Sequence, residues 1–347
     1  RQQTKRSQEA LAITSKAVEA SAQPHQYAPS TMAHSIEVPS TAVTRDALEA
    51  PAYSGKAKHD ELVLPCPSSR LFKWNLGMSV FHTVLMIVTL VAGNLDLRVP
   101  VYGSSVALKV DGNNSRSWAL TPDTDNRAGW FYLTYLVALF FFLSAFAHLG
   151  NAFLWRPHYE YALERAYAPF RWIEYSGSAS VMVLILAYTS GTILNPVLVS
   201  LFALTFITMT FGHLHEVICR PASLDEWVSS SKLWRLQGHL MGYVPQCFAW
   251  GLIIAQFMEA GGASTTDANG EKRQMPTFVY AIVFGEMLIF WGFGVVQLIV
   301  SLRPPSKYYE GEIAYMWLSL FSKGFLGLIV LSNVLMLGSF TEIYEDS

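Results

Sequence analysis

Apolar residues gather along this chain in seven blocks, at roughly 72–94, 129–155, 169–190, 195–218, 239–259, 276–302 and 312–338. A helix needs about 20 mainly apolar residues to cross a bilayer. The blocks therefore predict an all-α membrane protein, a bundle of seven transmembrane helices in the lipid bilayer. Polar or Pro-marked connections divide them, as at Trp155-Arg156-Pro157 and Arg303-Pro304-Pro305. The stretch Leu95–Ala128 is too polar to span. Its alternation over Val99–Val110, followed by Asp111-Gly112-Asn113, predicts a small β-ribbon loop after the first helix.

The first part of the chain reads differently. Residues 1–69 are rich in Ala, Ser, Thr, Pro and Gln and poor in large apolar groups. Such a segment cannot bury enough apolar surface to offset the entropy of ordering, which predicts a disordered N-terminal tail. The bundle is expected over 70–347.

Composition sharpens the membrane reading. The chain has 347 residues, is 52% hydrophobic and only 14% charged, against about 25% charged in an ordinary soluble domain. A net charge of −2 gives no general attraction to nucleic acid. No soluble domain is large enough for an enzyme, and no nucleotide motif is present. The cysteines, Cys66, Cys219 and Cys247, show no paired or metal-site spacing. His213, His215 and Glu216 are close in sequence, but positions i and i+2 do not share a helix face, which argues against a metal site there.

Lys and Arg near the span ends give about twelve on the N-terminal side and about half as many opposite. That bias predicts a cytoplasmic N-terminus and an extracellular or lumenal C-terminus. The sequon Asn113-Asn114-Ser115 falls on the outer side of this topology.

Chemistry inside the membrane starts with Lys323, near the middle of the seventh span and some 16 Å deep at about 1.5 Å per residue. An ammonium at a helix centre costs roughly 2.5–3.5 kcal/mol on insertion scales. Two arrangements relieve that cost: a structural Lys–Glu pair between helices, or condensation with an aldehyde to a Schiff base held by a counter-ion. In the third span Glu174 lies about one turn inside the bilayer, with Ser178 four residues on and so on the same face. Ser319 stands four residues before Lys323. Lys323 can thus reach towards Glu174 with both serines lining the polar spot, although Glu174 can also pair with the neighbouring Arg171.

His82 and His148 lie inside the first and second spans, with Ser144 one turn from His148. Each imidazole is either a hydrogen-bonded core group or an acceptor for a released proton. Aromatic and thioether side chains offer a ligand slot: Tyr175 and Met182, Trp250, Phe290, Trp291 and Phe293, then Trp317 and Phe321. The same residues serve as plain packing in any membrane bundle. Glu286 in the sixth span is a further buried acid, suited to a proton path or to a polar partner on a neighbouring helix.

Taken jointly, these motifs resemble the heliorhodopsins from about Leu71 to Phe340. The resemblance rests on Arg171-Trp172-x-Glu174-Tyr175-Ser176-x-Ser178 and Leu318-Ser319-x-x-Ser322-Lys323. His82, Ser144-x-x-x-His148, Met209-x-x-Gly212-x-x-x-Glu216 and Pro245-x-x-x-x-Trp250 extend it. The inverted topology is a feature of that family. The resemblance implies a rhodopsin-like fold with all-trans retinal bound covalently to Lys323, and Glu174 as sole counter-ion. Ser178 and Ser319 would be hydrogen-bond partners, and His82, Ser144 and His148 a polar pocket on the cytoplasmic side. It further implies isomerisation to 13-cis, a slow photocycle with Schiff-base deprotonation, a homodimer, and a light-sensing photoreceptor role with a signalling partner. Three features depart from the pattern: the long tail, Thr205 where the fourth helix often has Asn, and Glu286. The last keeps a light-gated or light-driven proton transporter as an alternative. A retinal-free seven-helix receptor or transporter, with Lys323 pairing to a substrate, is the second.

Overall fold

A computed structural model describes residues 62–104, 106–110, 116–122, 127–262, 265–266, 272–273 and 275–336. Nine helices and three two-stranded sheets make up the described residues, in the order α1 (Ser68–Ala92), β1 (Arg98–Tyr102), β2 (Val106–Val110), β3 (Arg116–Pro122), β4 (Arg127–Tyr132), α2 (Leu133–Leu149), α3 (Arg156–Leu163), α4 (Pro169–Thr189), α5 (Asn195–Cys219), α6 (Leu224–Ser229), α7 (Lys232–Gly262), β5 (Thr265–Thr266), β6 (Lys272–Arg273), α8 (Thr277–Leu302) and α9 (Tyr308–Val330). The seven long helices, α1, α2, α4, α5, α7, α8 and α9, are the seven predicted spans. Neighbours pack in that sequence, and α9 returns against α1 to close the ring.

Proline and glycine set several of the boundaries. Pro169 and Pro196 stand in the first turn of α4 and α5, where a missing N–H costs nothing. The turn between α4 and α5 needs a left-handed residue, which Gly191 supplies at φ +92°. Both α2 and α9 end in a π-helical turn, over Gly150–Leu154 and Leu331–Leu335.

Six of the seven long helices are apolar enough to span a membrane by length and hydropathy alone. The exception is α4, and its position explains why. Of its 21 residues, 16 are buried against neighbouring helices, Ser176, Ser178 and Ser180 among them. A helix that meets little lipid does not need an apolar surface; the other six carry the lipid-facing apolar side chains.

The β-ribbon differs in detail from the single alternation expected. Val99–Val110 is broken at Gly103-Ser104 into β1 and β2, which pair with different partners. β1 is antiparallel to β4, with Val99 opposite Phe131 and Val101 opposite Gly129, and β2 is antiparallel to β3. Residues 129–132, expected at the start of the second span, belong to β4 instead. Leu97, Val99 and Val101 are buried in the core with Leu133, and Tyr102 N–H donates to Ile193 O at 3.0 Å. The ribbon is thereby tied to the α4–α5 turn, at the end of the bundle opposite the start of α1. The expected Asp111-Gly112-Asn113 turn and the Asn113 sequon lie outside the described residues.

At the other end, residues Leu62–Pro67, which composition places in the tail, pack on the bundle. Leu62 and Leu64 are buried beside Tyr159, Leu163, Ala168 and Tyr308, and Leu64 N–H donates to Glu164 O at 2.8 Å. The tail expected over the preceding residues lies outside the described part of the chain. The connection after the second span holds α3, whose Tyr159, Ala162 and Leu163 are buried while its polar face is not.

Candidate functional site

Lys323 and Ser319 share one face of α9, Glu174 and Ser178 one face of α4, each pair at the i,i+4 spacing of a helix. The ring brings these two faces together. Lys323 Nζ donates to Glu174 Oε1 at 2.7 Å and to Ser319 Oγ at 2.9 Å. Ser178 Oγ donates to the same carboxylate oxygen at 2.7 Å, and Ser144 Oγ from α2 at 2.6 Å. Lys323 is 3% exposed and Glu174 8%. One carboxylate oxygen therefore receives an ammonium and two hydroxyls in a place without bulk water, where such bonds are strongest. Ser144, expected beside the histidines, touches Glu174 itself.

Beyond Nζ lies a cavity of about 280 Å³, lined by Tyr175, Ser178, Met182, Met209, Phe290 and Phe293 with Ser319, Ser322 and Lys323. Tyr175 holds its ring 5.0 Å from Nζ and donates its hydroxyl to Tyr315 O at 3.0 Å. Met209, Phe290 and Phe293 also form the wall of a second cavity of about 480 Å³, which contains Trp291. Trp250 packs edge-on against Phe290 at 5.7 Å, behind the wall rather than on it. Trp291 stacks on Tyr243 at 5.5 Å. Trp317 and Phe321, expected in the slot, are 43% and 57% exposed and stack on each other outside the bundle. They sit two residues before Ser319 and Lys323, some 200° around the helix, so they take the opposite face.

On the other side of Glu174 the lining turns polar. His148 Nδ1 lies 2.9 Å from Asn75 Oδ1, an acceptor, so this nitrogen carries the hydrogen and Nε2 the lone pair. Among the described residues, Nε2 of His148 and both ring nitrogens of His82 have no hydrogen-bond partner. The two imidazoles stack at 5.9 Å and 13°. Asn75 continues the chain: its amide donates to Tyr159 Oη at 3.4 Å, and that hydroxyl donates to Glu312 Oε1 at 2.9 Å. Glu312 and Glu216 both accept from Arg171. Arg171 therefore pairs with two acids on α9 and α5, not with its neighbour Glu174.

Glu286 is fully buried on α8 and accepts from Ser322 Oγ at 2.7 Å, with Oε1 unpartnered among the described residues. Ser322 is the residue before Lys323, so a second acid flanks the amine's own helical turn. Sequence reading missed Asn75, Tyr159 and Glu312 as parts of this network. A lone amide in an apolar span was the available signal for Asn75.

The residues fit a retinal. A buried primary amine, one carboxylate, and an apolar slot opening from the nitrogen are the donor set a retinal imine requires. The cavity beside Nζ is lined mainly by apolar and aromatic side chains, and a second cavity shares its Met209, Phe290 and Phe293 wall.

Comparison with known proteins places this fold. Two crystal structures cover most of the chain: a light-driven proton pump from Leptosphaeria maculans, at TM-score 0.51 and 10% identity, over 82% of this chain and 99% of that one; and xanthorhodopsin, a light-driven ion pump with dual chromophore, at TM-score 0.51 and 14% identity, over 81% and 98%. At such identities the likeness is one of fold, that of seven-helix microbial rhodopsins. Among curated proteins none matches the chain. The heliorhodopsin family profile matches residues 71–335, and the chain therefore belongs to the heliorhodopsin family, which implies a retinal chromophore.

Proposed function

We propose that this protein is a light sensor in which Lys323 is the attachment site of all-trans retinal and Glu174 its counter-ion. The observation that carries the reading is the 2.7 Å contact between Lys323 Nζ and Glu174, buried at the mouth of an apolar cavity. When bound, retinal supplies an aldehyde that condenses with Nζ with loss of water, and a polyene that absorbs visible light and isomerises. Glu174 holds the proton at Nζ, because an adjacent carboxylate favours the charged form of the nitrogen. Ser144 and Ser178 fix the carboxylate, and Ser319 fixes Nζ. Tyr175, Met182, Phe290 and Phe293 exclude water from the slot; Trp250 supports Phe290 from behind, and Trp291 bounds the adjoining space.

His148 Nε2 and His82 offer lone pairs on the polar side of Glu174, so they are the acceptors for a proton that leaves the nitrogen after illumination. A proton parked on a buried imidazole stays until the structure relaxes, which suits a slow switch. By the Lys and Arg bias, this polar side and the N-terminus face the cytoplasm. Adding all-trans retinal to purified apoprotein tests the assignment: a visible band forms, hydroxylamine bleaches it, and mass spectrometry after borohydride reduction finds the adduct on Lys323. Absence of a band, or an adduct elsewhere, sinks it.

One observation favours a second reading. Glu286, buried beside Ser322 with a free carboxyl oxygen, gives the site an acid besides Glu174. Light-driven or light-gated proton movement through Glu174, Glu286 and the histidines would give photocurrents in voltage-clamped cells that Glu286→Gln abolishes. Silent cells with a normal photocycle leave the sensor reading standing.

A further inference from the structure

At the N-terminal mouth, the ends of α5 and α8 and the starts of α7 and α9 line an open pocket, separate from the Lys323 cavity. Three arginines line it, Arg220, Arg235 and Arg303, with His215, Ser301 and Tyr308. Their charges are poorly matched. Arg235 is 6% exposed, yet forms no ion pair with any described residue. Among the described residues its Nη2 donates only to neutral carbonyls, Trp227 O at 2.6 Å and Ser230 O at 2.9 Å, and its Nε is buried with no partner. Among the described residues Arg220 likewise has a buried, unpartnered Nε, and its guanidinium rests on the Tyr167 ring at 4.3 Å. Arg303 makes one loose contact, 3.6 Å from Glu310.

The carboxylate that also lines the pocket does not balance them. Glu216 already accepts from Arg171, from Trp172 Nε1 at 2.8 Å and from Ala168 N–H at 3.0 Å. His215 adds no charge: Nδ1 accepts from His239 N–H at 3.2 Å, and Nε2 donates to Ser301 Oγ at 2.6 Å, whose own hydrogen goes to Gln297 O. A buried guanidinium without an anion is costly, and Arg235, with the half-buried Arg220 at the same opening, leaves positive charge there that an anion would balance. Tyr308 Oη accepts from Arg171 and can donate its own hydrogen.

We propose that this mouth binds a phosphate-type anion, held between the guanidinium groups of Arg220 and Arg235. Guanidinium forks match the several acceptor oxygens of a phosphate and stay charged at all working pH. The same chemistry is offered by a soluble phosphate and by the phosphodiester of an anionic lipid headgroup. The inference does not depend on the chromophore.

The test uses the purified full chain and follows its unfolding temperature. Inorganic phosphate is titrated at constant ionic strength against chloride and acetate; in parallel, the chain is placed in bilayer discs of phosphatidylcholine with or without phosphatidylglycerol. A ligand that binds only the folded state raises the unfolding temperature saturably. The expected result is a saturable rise whose midpoint concentration increases about tenfold or more in Arg220→Gln, for the loss of one charged hydrogen bond. Lys307→Gln, exposed and off the pocket, leaves the midpoint unchanged. A rise with inorganic phosphate points to a soluble anion, and a rise only with phosphatidylglycerol to a headgroup. Arg220 is partly exposed, so its variant folds even if Arg235→Gln does not. No rise in either arm, an equal rise with acetate, or a rise untouched by Arg220→Gln overturns the proposal.

Discussion

Two buried ion clusters stand one above the other on the same helices, α4 and α9, and they are built for different ends. In the deeper one, Lys323 meets a single carboxylate, Glu174, and the remaining contacts are the hydroxyls of Ser144, Ser178 and Ser319. Near the N-terminal mouth, Arg171 is clamped between Glu216 and Glu312, lies 4.0 Å over the Tyr315 ring and donates to Tyr308 Oη at 3.4 Å. The chemistry of the two cations decides what each can do. A guanidinium does not give up its proton in a protein, and its planar fork can hold two acids at once. An amine can lose its proton or be consumed in an imine, and hydroxyls rotate freely to follow a moving charge. The mouth cluster is thus a fixed joint across α4, α5 and α9, and the deep pair is the one able to change state.

Removing Lys323 should have the largest effect. Lys323→Ala abolishes the visible band on reconstitution, with absorbance as readout. It also strands Glu174, at a cost of roughly 3–5 kcal/mol for an unpaired buried charge, so Lys323→Ala with Glu174→Gln is the variant to purify. A retained band would erase the distinction between the clusters. Arg171→Gln comes next. It leaves two buried carboxylates without their cation and lowers unfolding stability by about 3–5 kcal/mol, while the band keeps its position. A stable but colourless Arg171→Gln would mean that the mouth cluster belongs to the chromophore site.

The deep pair was the more legible of the two in the sequence, for a physical reason. Lys323 is a lone cation in a long apolar run, and a partner one helical turn inside α4 could be guessed from the i,i+4 serines. Partners of Arg171 could not be read in this way. Glu216 and Glu312 sit near span ends, where an acid looks like an ordinary interfacial residue, and only the closing of the ring brings them to one arginine. Helix faces were a further limit. Trp317 and Phe321 have the composition of a ligand slot, but the residue count from Lys323 puts them on the lipid face. At 129–132, the apolar run read as the start of a span, whereas pairing to β1 makes those residues a strand. Hydropathy placed seven blocks but could not foresee that α4 would be polar because it is enclosed.

Glu174→Gln tests the deep pair more gently. The band shifts to the red, and its bleaching at alkaline pH moves to lower pH, because loss of the carboxylate removes what stabilises the charged nitrogen. Spectra across a pH titration read both. An unchanged spectrum would pass the counter-ion role to another acid, Glu286 being the one next to the same turn. Ser178→Ala, which removes one donor from Glu174 Oε1, should move the band less, with a stability loss of about 1.5–3 kcal/mol for a hydrogen bond to a charged group.

The smallest effect expected is at Cys66, just ahead of α1, and it reports on the charge around the mouth. Burial, then the carboxylates of Glu160, Glu164 and Glu312, push this thiol up from 9.0 to about 11. The thiolate is the reactive form, so alkylation by iodoacetamide at pH 8 is slow and quickens as pH rises towards 11. Glu160→Gln removes the largest of the electrostatic causes and should speed alkylation of Cys66 a few-fold, measured by peptide mass spectrometry against the same peptide alkylated in denaturant. Acceleration means that Glu160 acts on its surroundings despite its pairing with Arg156, in contrast to the balanced pair at Lys323. A rate that does not change would remove Glu160 from the causes and leave the shift to burial with Glu164 and Glu312.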